Sequence, residues 1–182
     1  MSTYLYNRLE KTATLKIIIF GLLIIVLFNI VLLPMFPKLF QVEIDIAKVL
    51  DLQFSYKPEF VYAFFTELGE EGRNAYLLSE VFVDFPYLII YTFLYILLLI
   101  RLLSISKIKS KKWILYLPFL VGLFDALENI GIVQLLTSYP NQLPNLVIIT
   151  SVFTTLKWIF AFGTLIAVLF LSVTWLLKKN KK

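Results

Sequence analysis

Four long apolar runs constrain this chain more than any other feature. A helix needs about 20 mostly apolar residues to cross roughly 30 Å of hydrocarbon at about 1.5 Å per residue. Leu15–Phe36, Val81–Leu103, Trp113–Leu136 and Leu146–Leu177 all meet that requirement. Lipid offers no hydrogen bonds to the backbone, so such runs are read as helices. The fold expected is all-α: a four-transmembrane-helix bundle, one membrane domain over residues 1–182. With 60% apolar residues and a mean hydropathy of +0.86, a soluble fold is excluded. Arg8, Lys11 and Lys16 precede the first run as they would a signal peptide. Its apolar stretch is longer than a signal core, however, and Pro34-Met-Phe-Pro37 offers no small-residue cleavage site, so it reads as a retained anchor. The fourth run exceeds what a bilayer needs and is expected to tilt, to bend near Gly163, or to begin outside the membrane.

Orientation follows from the basic residues. They gather in the N-terminal tail (Arg8, Lys11, Lys16), between the second and third spans (Arg101, Lys107, Lys109, Lys111, Lys112) and in the C-terminal tail (Lys178, Lys179, Lys181, Lys182). The positive-inside rule assigns these to the cytoplasmic face of a plasma (inner) membrane, with both termini cytoplasmic. The net charge of +5 is then explained by lysines beside anionic headgroups, and no nucleic-acid partner is expected.

The extracytoplasmic loop, 37–80, carries the acids Glu43, Asp45, Asp51, Glu59, Glu67, Glu70, Glu71 and Glu80. Its first part alternates: Phe40, Val42, Ile44 and Ile46, then Leu52, Phe54 and Tyr56, each separated by polar residues. Period two predicts a β-hairpin over Leu39–Tyr56, although Ile44, Ala47, Lys48 and Asp51 also fit a helical face. Pro58 then suits the first turn of a short amphipathic helix whose apolar face is Phe60, Val61, Phe64, Phe65 and Leu68, ending at Gly69-Glu-Glu-Gly72. This helix reads as a lid over the bundle or as a gate over a site.

Chemistry is bounded by what is missing. The chain has no cysteine and no histidine, which removes disulfides, thiolate nucleophiles and the commonest metal ligands. Neither a cofactor nor a metal centre is expected. What remains is ionisable groups inside the spans: Asp84, Asp125, Glu128 and Lys157. A charge at the bilayer centre costs about 2.5–3.5 kcal/mol on insertion scales, so such groups face the bundle and pair. Asp125, Glu128 and Asn129 stand at i, i+3 and i+4 on one face of the third span. Asp84, Tyr87, Tyr91 and Tyr95 form a stripe on the second, Thr150, Thr154 and Lys157 share a face of the fourth, and Asn29 reaches a similar depth in the first. Pairing with Lys157 accounts for one acid and leaves two crowded together, the usual preparation for proton transfer. Asp125, Glu128 and Lys157 are accordingly the candidate catalytic residues. Asn29, Asp84, Tyr87, Tyr91, Asn129, Thr154 and Arg73 are the candidate substrate-binding ones, Arg73 because it could descend to neutralise an acid.

The motifs Gly72-Arg-x-x-Tyr76, Asp84-x-Pro86 and Asp125-x-x-Glu-Asn129, with Phe54-Ser-Tyr56 and Lys157-Trp158, resemble a family of small four-span membrane proteins. The resemblance covers roughly residues 50–160; it implies the four-span fold and the choice of residues, and carries no established activity. The paired acids are also loosely similar to those of emopamil-binding sterol isomerases, but those enzymes' histidine is missing and nothing is carried over.

Three functions fit: binding or acid/base transformation of a small lipid-like amphiphile in the outer half of the bilayer, proton- or cation-coupled transport, or a non-catalytic assembly role. The bilayer is the one assured partner. An amphiphile ligand belongs to the first function, and a homo-oligomer would be needed to widen the thin pore of the second. A cavity beside the acids favours the first, a polar path past Tyr95 the second, and a dry, fully paired cluster the third.

Overall fold

The computed structural model describes residues 3–179. It is 87% helical, and no strand occurs among the described residues. Four helices are long and apolar enough to cross a membrane: Leu15–Leu39, Pro58–Ile105, Lys112–Ser138 and Pro144–Lys179. The first is built from α2 (Leu15–Leu27) and α3 (Leu33–Leu39), joined by a π turn at Phe28–Leu32, and follows a short helix α1 (Thr3–Thr12). The second comprises α4 (Pro58–Ser79), a π turn at Glu80–Asp84 and α5 (Phe85–Ile105); α6 (Tyr116–Ser138) and α7 (Pro144–Lys179) complete the bundle.

The two π turns have one cause. Pro34 and Pro86 each stand two residues beyond the turn, and a proline has no N–H to give the carbonyl four residues back, which its ring also displaces. The helix absorbs the mismatch by widening for one turn. Those widened turns carry Asn29, Glu80 and Asp84.

The three basic segments meet at one end. Lys178 Nζ donates to the Ser106 carbonyl at 2.7 Å, and Lys112 Nζ lies 4.1 Å from the centre of the Tyr6 ring, so α1 and the end of α7 both sit against the α5–α6 turn. Leu99, Leu103 and Leu171, all fully buried, pack this end with Tyr6 and Ala13. Lys181 and Lys182 lie outside the described residues, as do the side chains of Lys109 and Lys111.

The loop end is a cap. Pro58 opens α4 at its first position, and Val61, Phe64 and Phe65 bury against Ile132, Leu135, Leu136 and Val147 of α6 and α7. Gly69 then adopts φ 65°, a conformation closed to most side chains, and breaks α4 into a cap helix and the helix that continues into α5. The first turns of α7 are part of this cap, which accounts for its excess length over the bilayer.

The expected β-hairpin over Leu39–Tyr56 does not form. In its place the segment is a strap with two single 3₁₀ turns, Ile46–Lys48 and Leu50–Leu52. Its backbone bonds to side chains of the helices instead of to a second strand. Leu50 N–H donates to the Tyr76 hydroxyl at 3.2 Å and Tyr56 N–H to Ser151 Oγ at 2.8 Å, while the Phe54 carbonyl accepts from Thr155 at 2.9 Å. A lone hairpin gains too little from its own ladder, whereas the strap sinks Leu50 and Tyr56 into the cap cluster.

α6 and α7 make the most extensive helix pair. They approach closely because Gly131 faces Thr150: a Cβ there would collide with the Thr150 hydroxyl. The first span packs mainly on α5 and leaves the side toward α7 open.

Candidate functional site

Lys157 is the hub of a buried polar layer. Its ammonium lies 2.6 Å from Glu128 Oε2 and 3.1 Å from Asp125 Oδ1, and it donates to the Asp51 backbone carbonyl at 3.1 Å. Two carboxylates and one carbonyl oxygen thus crowd a single ammonium. Asp125 and Glu128 stand one helical turn apart on the face of α6 that also buries Pro118, Asn129 and Ile132. The Tyr91 hydroxyl donates to Asp125 Oδ2 at 2.5 Å, and Thr154 donates to Glu128 Oε1 at 2.8 Å. Behind Thr154, 3.0 Å away, is the Tyr56 hydroxyl. Burial, with the Glu128 charge beside it, raises the Tyr56 phenol above its ordinary value, so it stays protonated and able to donate.

The remaining expected residues fall as follows. Asn129 donates its amide to Asp84 Oδ2, and Asn29 donates to the Tyr87 hydroxyl at 2.7 Å. Tyr87, Tyr91 and Tyr95 run as a ladder of edge contacts, 5.3 and 6.4 Å between ring centres. Arg73 is not brought to the site: its guanidinium donates to the Phe65 carbonyl at 2.9 Å and lies 4.2 Å from the Tyr139 ring centre, in the cap. It ties the broken halves of α4 together instead of neutralising an acid.

Two acids counted with the loop belong to this layer. Glu80 is 2% exposed, and the Asp51 carboxylate, which accepts from Tyr76 at 3.1 Å, comes within reach of both Asp84 and Glu128. Glu80 was legible in principle, since the Asp84–Tyr87–Tyr91 stripe continues backwards through Glu80 and Tyr76 at steps of four. Asp51 was not, because a strap that dives between helices leaves no periodic signature.

Beside these groups is a cavity of about 320 Å³. One end is lined by Asp51, Asp84, Asp125 and Lys157, the other by Tyr95, Thr164, Leu165 and Val168. Along α7 this spans eleven residue steps, about 16 Å at the α-helical rise. Asn29 and Leu165, on opposite flanks, are both exposed, so the cavity opens sideways between the first span and α7. Glu128 does not line it and stands behind Lys157. No protein-family model, no curated protein and no solved structure matches this chain.

Proposed function

We propose that the protein holds a small amphiphile in this lateral cavity and binds or transforms its head group by proton exchange. The observation that carries the reading is the polarity of the cavity itself: carboxylates and an ammonium at one end, Tyr95, Leu165 and Val168 at the other. A mouth facing the bilayer lets such a molecule enter without leaving lipid. The acid-rich end suits a head bearing an amine or hydroxyls. Asp125 takes or returns the head-group proton, with the Tyr91 hydroxyl bonded to its second oxygen. Lys157 compensates the carboxylate charge, and Glu128 and Thr154 hold Lys157 in place.

Coupled transport has less support, because fully buried Leu99, Leu103 and Leu171 close the bundle beyond Tyr95 and Val168. A purely structural network has less support as well, since Glu80 Oε2 and Asp51 Oδ1 are buried without a donor. The loop end is proposed to be extracytoplasmic and the termini cytoplasmic, on the positive-inside rule.

Native mass spectrometry of the protein extracted in mild detergent should show one retained amphiphile per chain. Ala161→Leu and Leu165→Trp, which fill the cavity, should reduce retention at least tenfold with little loss of stability. Absence of any adduct, together with failure of delipidated protein to take up a single-chain amine such as dodecylamine, would overturn the reading.

A further inference from the structure

The carboxylates of the buried layer fall into two groups that share Asp51. In the group of Asp51, Asp125 and Glu128, the last two pair with the Lys157 ammonium, which takes the backbone carbonyl of Asp51 and not its carboxylate. The group of Asp51, Glu80 and Asp84 has no such counter-charge: among the described residues no ion pair reaches any of the three. Oxygens from all three lie within 4.8 Å of one another. Two hydrogen-bond donors serve them, Tyr76 on Asp51 and Asn129 on Asp84. Glu80, 2% exposed, has only the Asp51 carboxylate as a side-chain hydrogen-bond neighbour, and its Oε2 is buried without a partner, as are Asp51 Oδ1 and Asn129 Oδ1. Buried carboxylates that face one another with oxygens left unpaired and no cation among them lack the compensation that low dielectric demands.

We infer that Asp51, Glu80 and Asp84 bind a hard divalent cation at the junction of strap and second span. The donor set is all oxygen, which excludes the soft metals and suits Ca²⁺, Mg²⁺ or Mn²⁺. Ca²⁺ accepts irregular shells of six to eight oxygens, whereas Mg²⁺ demands near-ideal octahedral geometry and gives up its waters reluctantly, so a crowded carboxylate set away from bulk water suits the larger ion. The fold explains how the ligands converge. Tyr76, Glu80 and Asp84 follow one another at helical steps through the π turn, and the strap, pinned by Leu50 N–H on Tyr76, delivers Asp51 from the other side. A bound ion would fasten the strap, and with it the roof of the cavity, to the second span.

The site does not depend on any amphiphile, and the test separates the two. Full-length protein, delipidated and washed with chelator in detergent, is melted with Ca²⁺, Mg²⁺ or Na⁺ at matched ionic strength. Ca²⁺ should raise Tm saturably, Mg²⁺ less, and Na⁺ not at all. Glu80→Gln and Asp84→Asn should abolish the Ca²⁺ response, while Glu67→Gln, on the surface beside Lys48, should keep it. No ion-specific shift in the wild-type protein would overturn the inference, and so would a Glu80→Gln variant that is more stable yet still responds to Ca²⁺, which would mean Glu80 shares a proton with Asp51. Where these variants fail to fold, Tb³⁺ bound to wild-type protein and excited through tyrosine reports on the site, because the Tyr76 hydroxyl touches Asp51. Sensitised emission displaced by Ca²⁺ supports the inference, and its absence refutes it. Amphiphile retention, measured separately in excess chelator, can fail or succeed independently.

Discussion

Lys157 shows how a buried charge is made tolerable: two carboxylates pair with its ammonium and a backbone carbonyl accepts from it. Removing one member of such a set costs more than removing a matched pair, because the single change strands an ion. Lys157→Met should therefore lower stability by about 3–5 kcal/mol. Lys157→Met combined with Glu128→Gln should recover a good part of that, and thermal unfolding in detergent would read the difference. Equal stability of the single and double variants would show that the ion pair contributes nothing. Tyr56 offers a second check. Its folded-state value is raised above the ordinary tyrosine value near 10, so its contribution is fully present below about pH 10 and is lost as pH rises beyond that. Tyr56→Phe should therefore flatten part of the alkaline fall in stability while leaving the neutral-pH melting point only slightly lower.

At the scale of elements, the spans and their facing stripes were readable because each obeys one period. Asp125, Glu128 and Asn129 fall on the inward face as their spacing implies, and the cap helix begins at Pro58 and breaks at Gly69 as composition suggests. The strap misled for a definite reason. Its alternation comes from residues with unrelated neighbours: Leu50 and Tyr56 sink into the cap, while Ile46, Leu52 and Phe54 remain exposed. Period two reports a pleat only when a second strand supplies hydrogen bonds, and here Tyr76, Ser151 and Thr155 supply them. The π turn at Glu80–Asp84 was equally invisible, although Pro86 was its cue. Because a π turn holds one residue more than an α turn, deleting exposed Phe82 should leave a folded helix that melts within a few degrees of the parent. Deleting Ile90, inside α5, should turn everything upstream by about 100° relative to the bundle and abolish folding. Circular dichroism and size-exclusion profiles of the two deletions would tell them apart.

For the molecule as a whole, the meeting of α1, the α5–α6 turn and the end of α7 places the tail basic residues together, and the strap at the opposite end. Cysteines placed at exposed Ser55 and Lys107, in a chain without cysteine of its own, should label in intact cells and only after permeabilisation, respectively. The reverse pattern would invert the proposed orientation. The unequal embedding of the spans bears on how the protein is made. The first span is the most apolar and is hardly buried by the rest, whereas the third is the least apolar and is half buried. During synthesis the first can enter lipid unaided, but the third presents Asp125 and Glu128 before the ribosome has produced Lys157. Its partition into the bilayer is thus conditional on a residue still to come. A nascent chain stopped after Ser138 should leave the third span largely uninserted in a glycosylation-mapping assay, and extension through α7 should draw it in; with Lys157→Met in the longer chain, that rescue should weaken.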